Sequence, residues 1–299
     1  MGILSVAVNI LVFLLLAPLF EGVVRKVTAR VQSRKGPPVV QPYYDLLKLL
    51  GKQNLGAGNA AFHIAPMVAL ASILGVIVFL PLGHRAGALT ASADIITVVY
   101  LLTLGGVGVL LGALASRNTY SLIGSSREMI TMIMVEPVLA MTFILGAVKA
   151  RSLGIAAAID GVAGGGYGVS VIVMMAAYLM ALMAFVGRQP FDTAEAEVEI
   201  LEGPFMEYSG PNYALFKYYL MLKQMFYAAL FVVVFVPPVR TGFYGADVLV
   251  QMAFVLVIIL VIALVGATNP RLRIDQAQRY YAVWIAASLA AVGLSVYGI

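Results

Sequence analysis

GRQPFDTAEAEVEILEGPFMEYSG, residues 187–210, joins the apolar run VSVIVMMAAYLMALMAFV to the apolar run YALFKYYLMLKQMFYAALFVVVFV. Each run is close to the ~20 residues that cross a bilayer as a helix. The stretch between them holds Asp192, Glu195, Glu197, Glu199, Glu202 and Glu207, six of the fourteen acids in the protein. Apolar run, charged loop, apolar run is the pattern of a polytopic membrane protein, and the rest of the chain repeats it.

Hydrophobic residues are 62% of 299 and mean hydropathy is +0.98, against roughly 45–50% apolar content in a soluble domain. Eight segments qualify as spanning helices, at about residues 2–24, 62–83, 94–115, 128–149, 168–187, 213–236, 247–268 and 277–298. The fold expected is all-α: one transmembrane domain over residues 1–299, with short amphipathic or interfacial helices in the cytoplasmic loops. The first segment has Arg25 and Lys26 after it and no basic stretch before it, so it reads as a retained span with its N-terminus outside. Thirteen Lys and Arg fall in the odd-numbered loops and four in the even-numbered ones. The odd loops are therefore cytoplasmic and both termini outside. The same bias accounts for the net charge of +5 without nucleic acid.

The sequence contains no cysteine, which excludes thiolate ligation of an iron–sulfur cluster by this chain. His63 and His84 stand at opposite ends of the second span, roughly 30 Å apart at 1.5 Å per residue, and cannot share a haem. Both read as interfacial residues. No internal repeat, nucleotide fingerprint, metal-ligand spacing or nucleophile motif is present.

In the first loop, Gly36-Pro37-Pro38 stops a helix running on from the first span. Tyr43, Leu46, Leu47, Leu49 and Leu50 then alternate with Asp45, Lys48 and Lys52 as a short interfacial helix closed by Gly51, either a membrane-surface anchor or a docking surface. Gly108 and Gly112 in the third span permit close helix contact. DGVAGGGYG, residues 160–168, reads as a flexible connector.

In the opening stretch Asp192 and Glu195 have capping-box spacing, and Gly203-Pro204 ends the segment. A helix of about ten residues would put Asp192, Glu195, Glu199 and Glu202 on one face, where crowding raises their proton affinity. Glu136, in MIMVEPVLA, lies roughly 12 Å into the fourth span, where an acid costs on the order of 2.5–3.5 kcal/mol and must face protein or water. Glu21, Lys217 and Lys223 lie within spans, with snorkelling or a structural ion pair as the competing reading.

Four motifs, SRKGPP at 33–38, RQPFDTAEAEVEILEGPFMEYSG at 188–210, the Glu136 span and NPRLRIDQ at 269–276, together resemble the membrane subunit of respiratory complex I that anchors the peripheral arm. They also resemble its relatives in group 4 membrane-bound NiFe hydrogenases. The resemblance covers essentially the whole chain. Complex I members usually read G-P-N-R where this chain has Gly36-Pro37-Pro38-Val39, and carry a glutamate at the position aligned with Leu220. VQPYYDLLKLLGKQ and LFKYYLMLKQ look like the hydrogenase branch. The family's E-R-R appears here as Val24-Arg25-Lys26, with Glu21 one helical turn earlier.

The resemblance implies a membrane subunit of an energy-converting hydrogenase complex that docks a soluble arm and couples its redox reaction to movement of H⁺ or Na⁺. The chain itself would hold no catalytic centre, cofactor or metal. Partner subunits would carry iron–sulfur clusters, a nickel–iron centre fed by a donor such as ferredoxin, and antiporter-like membrane chains, in a prokaryotic plasma membrane. A proton path is expected through Glu136, Asp192, Glu195, Glu197, Glu199, Glu202, Glu207, Glu21, Lys217 and Lys223. Docking is expected through Arg25, Lys26, Arg30, Arg34, Lys35, Asp45, Lys48, Arg271, Arg273 and Asp275. The alternatives are a quinone-binding complex I subunit and a free-standing ion transporter.

Overall fold

A computed structural model describes residues 2–56, 58–83, 90, 93–164, 166–237, 239 and 241–298, with side chains described from residue 6 onward. His84, Arg85 and Arg240 lie outside the described residues. The elements, in order, are α1 (Gly2–Val31), α2 (Gln41–Leu50), α3 (Ala60–Ile77), α4 (Ile95–Ala115), α5 (Thr119–Ala150), α6 (Ile155–Ala163), α7 (Val169–Val186), α8 (Glu197–Ile200), a 3-10 turn at Gly203–Phe205, α9 (Gly210–Phe235), α10 (Tyr244–Thr268) and α11 (Ile274–Val296). Eight helices among the described residues are long and apolar enough to span a membrane, and they match the eight expected segments.

α9 is the most deeply buried span, and α1, α3, α7 and α10 pack round it. Apolar side chains gain little from meeting one another inside lipid, so small residues and internal hydrogen bonds set the packing. On α4, a Cβ added at Gly108 would stand 3.0–3.2 Å from Ala69 of α3. One at Gly112 would stand 3.2 Å from Ala65. The glycine pair thus brings the two backbones together, as its spacing predicts.

Prolines inside spans supply a second device. Pro18 cannot donate to the Leu14 carbonyl, and Tyr218 of α9 donates to it instead at 2.7 Å. Pro66 likewise frees the Phe62 carbonyl, which accepts from Tyr208 at 3.0 Å. Both donors come from the second half of the chain and fix it against the first.

Three expectations change. The fourth span begins at Thr119, not near residue 128, because the Asn118 side chain accepts from the Tyr120 amide at 2.9 Å and starts the helix there. At 32 residues α5 is roughly 48 Å long and extends past the hydrocarbon core. Residues 155–163, which include the start of the supposed flexible connector, form α6, with Ile155, Ala158, Ile159 and Val162 buried. The ten-residue helix after Asp192 does not form; only Glu197–Ile200 is helical.

Candidate functional site

The loop between α7 and α9 owes its course to local backbone chemistry. Gly187 takes a left-handed conformation (φ 68°) and ends α7. Ala196, Leu201 and Glu202 are left-handed as well, at φ 30°, 52° and 65°, and Gly203 follows at 48°. These turns fold the segment so that Phe191, Ala194, Ile200 and Phe205 are buried, which a continuous helix would not allow. Pro204 packs against Gly124 of α5, where a Cβ would lie 2.6 Å from its ring. Beyond it Tyr208 stacks on Phe62 with ring centroids 4.0 Å apart.

With no helix there is no acidic stripe and no capping box, and the six acids disperse. Glu199 pairs with Arg127 at 2.7 Å, Glu202 accepts from Tyr213 at 2.8 Å and Glu207 from Asn118 at 2.5 Å. Glu197 is exposed beside Val198, the loop's tip, which is 95% exposed. Asp192 and Glu195 turn inward. The sequence shows no basic residue between Arg188 and Lys217; the compensating cations arrive from elsewhere, Arg127 from α5 and Arg271 from the segment between α10 and α11. Arg271 donates to the Asp192 carbonyl, and the Leu272 amide to Pro190 at 2.9 Å.

A cavity of about 670 Å³ opens beside this loop, walled by α1, α9, α10 and residues 187–202. Its lining includes Glu21, Arg25, Arg188, Lys217 and Arg271 together with Asp192 and Glu195. Glu21, 5% exposed, accepts from Arg25 at 3.2 Å and from Arg188. Arg25 reaches on to Asp45 at 2.8 Å, and Arg188 to Gln224 at 3.0 Å. The network ties α1, α2, the acidic loop and α9 together. Arg25 and Asp45, expected at a docking surface, spend their charges on each other. Lys217 lies 4.9 Å over the Tyr213 ring.

Deeper, Asp192 and Glu195 also line a second cavity of about 20 Å³, which they share with Glu128, Thr131, Thr193, Tyr219 and Lys223. Lys223 stands 3.7 Å from Glu128, and both side chains are largely buried. Glu136 is half-buried in α5, eight residues beyond Glu128 and within electrostatic reach of Lys223.

Burial pushes the Glu195 carboxyl up to about 8, helped by Asp192 and opposed by Arg188. Burial raises Asp192 to about 6 against the pull of Arg271. Glu21 holds the Arg188 guanidinium above its ordinary value. The Arg127 hydrogen bond keeps Glu199 low. Asp45 is lowered too: burial works against its charge, but bonds from Arg25 and Gln41 outweigh it. Burial thus favours the protonated form of Glu195, while the Arg127 hydrogen bond favours the ionised form of Glu199.

The first-loop residues Lys26, Arg30, Arg34, Lys35 and Lys48 are exposed, as are Arg273 and Asp275, which pair at 3.4 Å. His63, at the start of α3, bonds to Asn212 at 2.8 Å. Sequence reasoning missed Glu128, Arg127 and Gln224. Glu128 had one signal, its position eight residues before Glu136, but it lay at the assumed edge of a span.

Residues 4–296 match the family described as NADH dehydrogenase. Formate hydrogenlyase subunit 4 of Escherichia coli (strain K12) is 34% identical over 284 residues, 92% of each chain. Hydrogenase-4 component C of the same organism is 33% identical over 94% of this chain and 91% of that one. A subunit of the NADH-quinone oxidoreductase of Rhodospirillum rubrum is 31% identical over 85% of this chain and 80% of its own. A chain of the membrane-bound sulfane sulfur reductase, an archaeal respiratory membrane complex, superposes with a TM-score of 0.85 at 26% identity, covering 97% of this chain and 99% of its own. Eight spans around a charged interior, in a chain similar over nearly its whole length to these proteins, define an all-α membrane subunit of an energy-converting oxidoreductase complex. The chain belongs to the NADH dehydrogenase family, and the resemblance read from its motifs is borne out.

Proposed function

We propose that this chain is the membrane subunit of an energy-converting hydrogenase complex. It docks the soluble hydrogenase arm and couples that arm's redox reaction to movement of H⁺ or Na⁺. The observation that carries the reading is the convergence of Asp192, Glu195, Glu128 and Lys223 around one small cavity lined by the 187–210 loop, α5 and α9. The 34% and 33% identities to two hydrogenase-type subunits favour this branch over a quinone-linked one.

The docking surface combines the exposed cations Lys26, Arg30, Arg34, Lys35, Lys48 and Arg273 with Asp275 and the knob of Glu197, Val198 and Leu201. Opposite charges on adjacent patches orient a partner and suppress wrong ones. The loops carrying them meet at one end of the bundle: Leu55 bonds to Ser209 at 2.8 Å and Asn118 to Glu207 at 2.5 Å. That end carries most of the Lys and Arg, which supports a cytoplasmic face, with both termini outside in a prokaryotic plasma membrane. The chain has no cysteine; the reading assigns the iron–sulfur clusters and nickel–iron centre to the soluble subunits and further ion pathways to antiporter-like membrane partners. Glu136 is the membrane end of the path and Glu195 and Asp192 its loop end, and Glu21 with Lys217 sets the charge of the large cavity beside the loop.

One observation favours a second reading. The cavity of about 670 Å³ mixes Arg188 and Asp192 with Phe216, Met221 and Ile262, a lining that suits the polar head and apolar tail of a quinone. Purification of the intact complex, with native mass and metal content, decides between the two. Stoichiometric nickel and hydrogen evolution support the first reading; quinone-dependent turnover without nickel overturns it.

A further inference from the structure

The end of the bundle opposite the charged loops holds a cavity of about 150 Å³, walled by α6, α9, α10 and the segment that follows α3. Ile159 and Ala163 of α6, Val232 and Val233 of α9 and Phe254 of α10 make its surface apolar. The walls are fixed from behind. A Cβ added at Gly146 of α5 would collide with the Ala158 carbonyl, and one at Gly161 would stand 2.7 Å from the Gly146 carbonyl, so α6 is seated directly on the α5 backbone. Tyr167 donates to the Phe235 carbonyl at 2.9 Å and holds the end of α9. Gln251, 4% exposed, accepts from the Gly83 amide at 2.8 Å and donates to the Pro81 carbonyl at 3.2 Å. Thr90 donates to the Phe79 carbonyl at 3.1 Å.

These bonds have a second effect. Gln251 and Thr90 are the polar side chains of the inner wall, and both are already engaged with the backbone, whereas a water needs two to four polar partners of its own. The cavity therefore suits an apolar guest. Its rim says where that guest comes from. Val239 and Phe254 are 44% and 39% exposed, and Phe254 lies ten residues into α10, roughly 15 Å from the start of that span. A hydrocarbon core is ~30 Å thick, so the opening faces acyl chains as well as the membrane surface. At the same rim Asp160 is exposed, and no cation among the described residues pairs with it.

We propose that this cavity is a phospholipid site: it takes one acyl chain of a lipid whose headgroup carries a primary ammonium, and Asp160 is the headgroup's partner. A primary ammonium brings a positive charge and three N–H donors to a lone carboxylate, while a headgroup bearing only negative charge is repelled by it. Because the walls are held by α5, by backbone bonds and by Tyr167, the site is formed before the lipid arrives, and little ordering opposes binding. It stands at the far end of the bundle from the acidic loop and does not depend on the coupling function.

The test is photolabelling of the intact purified complex in vesicles of phosphatidylethanolamine and phosphatidylglycerol, doped with one or the other lipid carrying a diazirine in its acyl chain, with the labelled residues mapped by mass spectrometry. The ethanolamine probe should label residues 155–163 and 250–254 about two- to fivefold more than the glycerol probe, the size expected of one exposed ion pair. Val257 and Val261, on the outward face of α10, should take both probes alike. Asp160→Asn should abolish the preference and leave the label. Ala163→Phe fills the cavity and should lower the label from both probes several-fold at Ile159 and Phe254 but not at Val257; Ala156→Leu, a smaller insertion into the same wall, serves if Ala163→Phe is not recovered in the complex. Equal labelling by the two probes in the unmodified complex, or a preference that survives Asp160→Asn, overturns the headgroup assignment. Label that neither filling variant lowers, or no label at the cavity, overturns the site itself and leaves only lipid that coats the surface.

Discussion

At the residue scale, the Glu21–Arg188 pair is the most consequential contact in the chain. It pairs a buried carboxylate with a guanidinium that opens onto the large cavity. Glu21→Gln leaves Arg188 and Arg25 without the negative charge they share, and breaking a buried pair from one side costs about 3 kcal/mol or more. Arg188 opens partly onto the cavity, which holds the loss near the lower bound. In thermal unfolding of the detergent-solubilised protein, Glu21→Gln/Arg188→Gln should be clearly less destabilised than the sum of the single variants. Additive losses would show the two do not interact. A second prediction concerns Glu195. Because its folded-state pKa is raised to about 8 from 4.5, the folded protein holds a proton that the unfolded chain releases. The resulting stability is fully present below the unfolded value and is lost as pH rises through about 8. Glu195→Gln should therefore flatten the fall in melting temperature between about pH 5 and pH 8.5, an effect on the order of 2 kcal/mol once the cavity's water is allowed for. An unchanged slope would remove Glu195 as a near-neutral acid.

At the scale of elements, the spans are held in register by tyrosines that answer prolines. Tyr208→Phe removes the donor to the Phe62 carbonyl but keeps the stack on the Phe62 ring, so the loss should be about 1–2 kcal/mol. Pro66→Ala restores the helix's own amide to that carbonyl. In a Pro66→Ala background the cost of Tyr208→Phe should shrink to a few tenths of a kcal/mol; an undiminished cost in denaturant titrations would mean that Tyr208 acts through packing alone. The short α8 illustrates the opposite case, an element imposed against local preference. Leu201 and Glu202 lie in the left-handed region at φ 52° and 65°, a cost of order 1 kcal/mol each. Burial of Ile200 and Phe205 on either side offsets it.

At the scale of the whole molecule, charge is arranged by end rather than by stretch. The first loop, the acidic loop and residues 269–276 meet on one face, the acids largely compensated inside the chain and the outward surplus basic. Reversing Arg30 and Arg34 together to Glu should lower the yield of assembled complex several-fold, measured as soluble-arm subunits retained per membrane subunit on affinity purification. Full retention would leave the two residues as determinants of orientation only. Glu136→Gln should lower ion uptake per turnover in sealed vesicles by roughly tenfold, and an unchanged ratio would return Glu136 to the class of buried structural acids.

The sequence by itself determined the spans and the family. Hydropathy over ~20 residues is a local property that lipid enforces one segment at a time, so each of the eight helices could be read independently. The short helix α2 and the glycine contact of α3 with α4 were legible for the same reason, since amphipathic alternation and four-residue spacing are local. What only the tertiary structure decided is the fate of the acids between 187 and 210. Capping-box spacing and helical periodicity argued for a helix, and burial of Phe191, Ala194, Ile200 and Phe205 by other elements overrode both. The cations that answer those acids, Arg127 and Arg271, lie 72 and 79 residues away from Glu199 and Asp192. Glu128 and Lys223, 95 residues apart in sequence, became a pair only when α5 and α9 packed. Charge interactions act through space and are strongest where water is excluded, so their partners are fixed by which helices meet, and no reading along the chain contains that information.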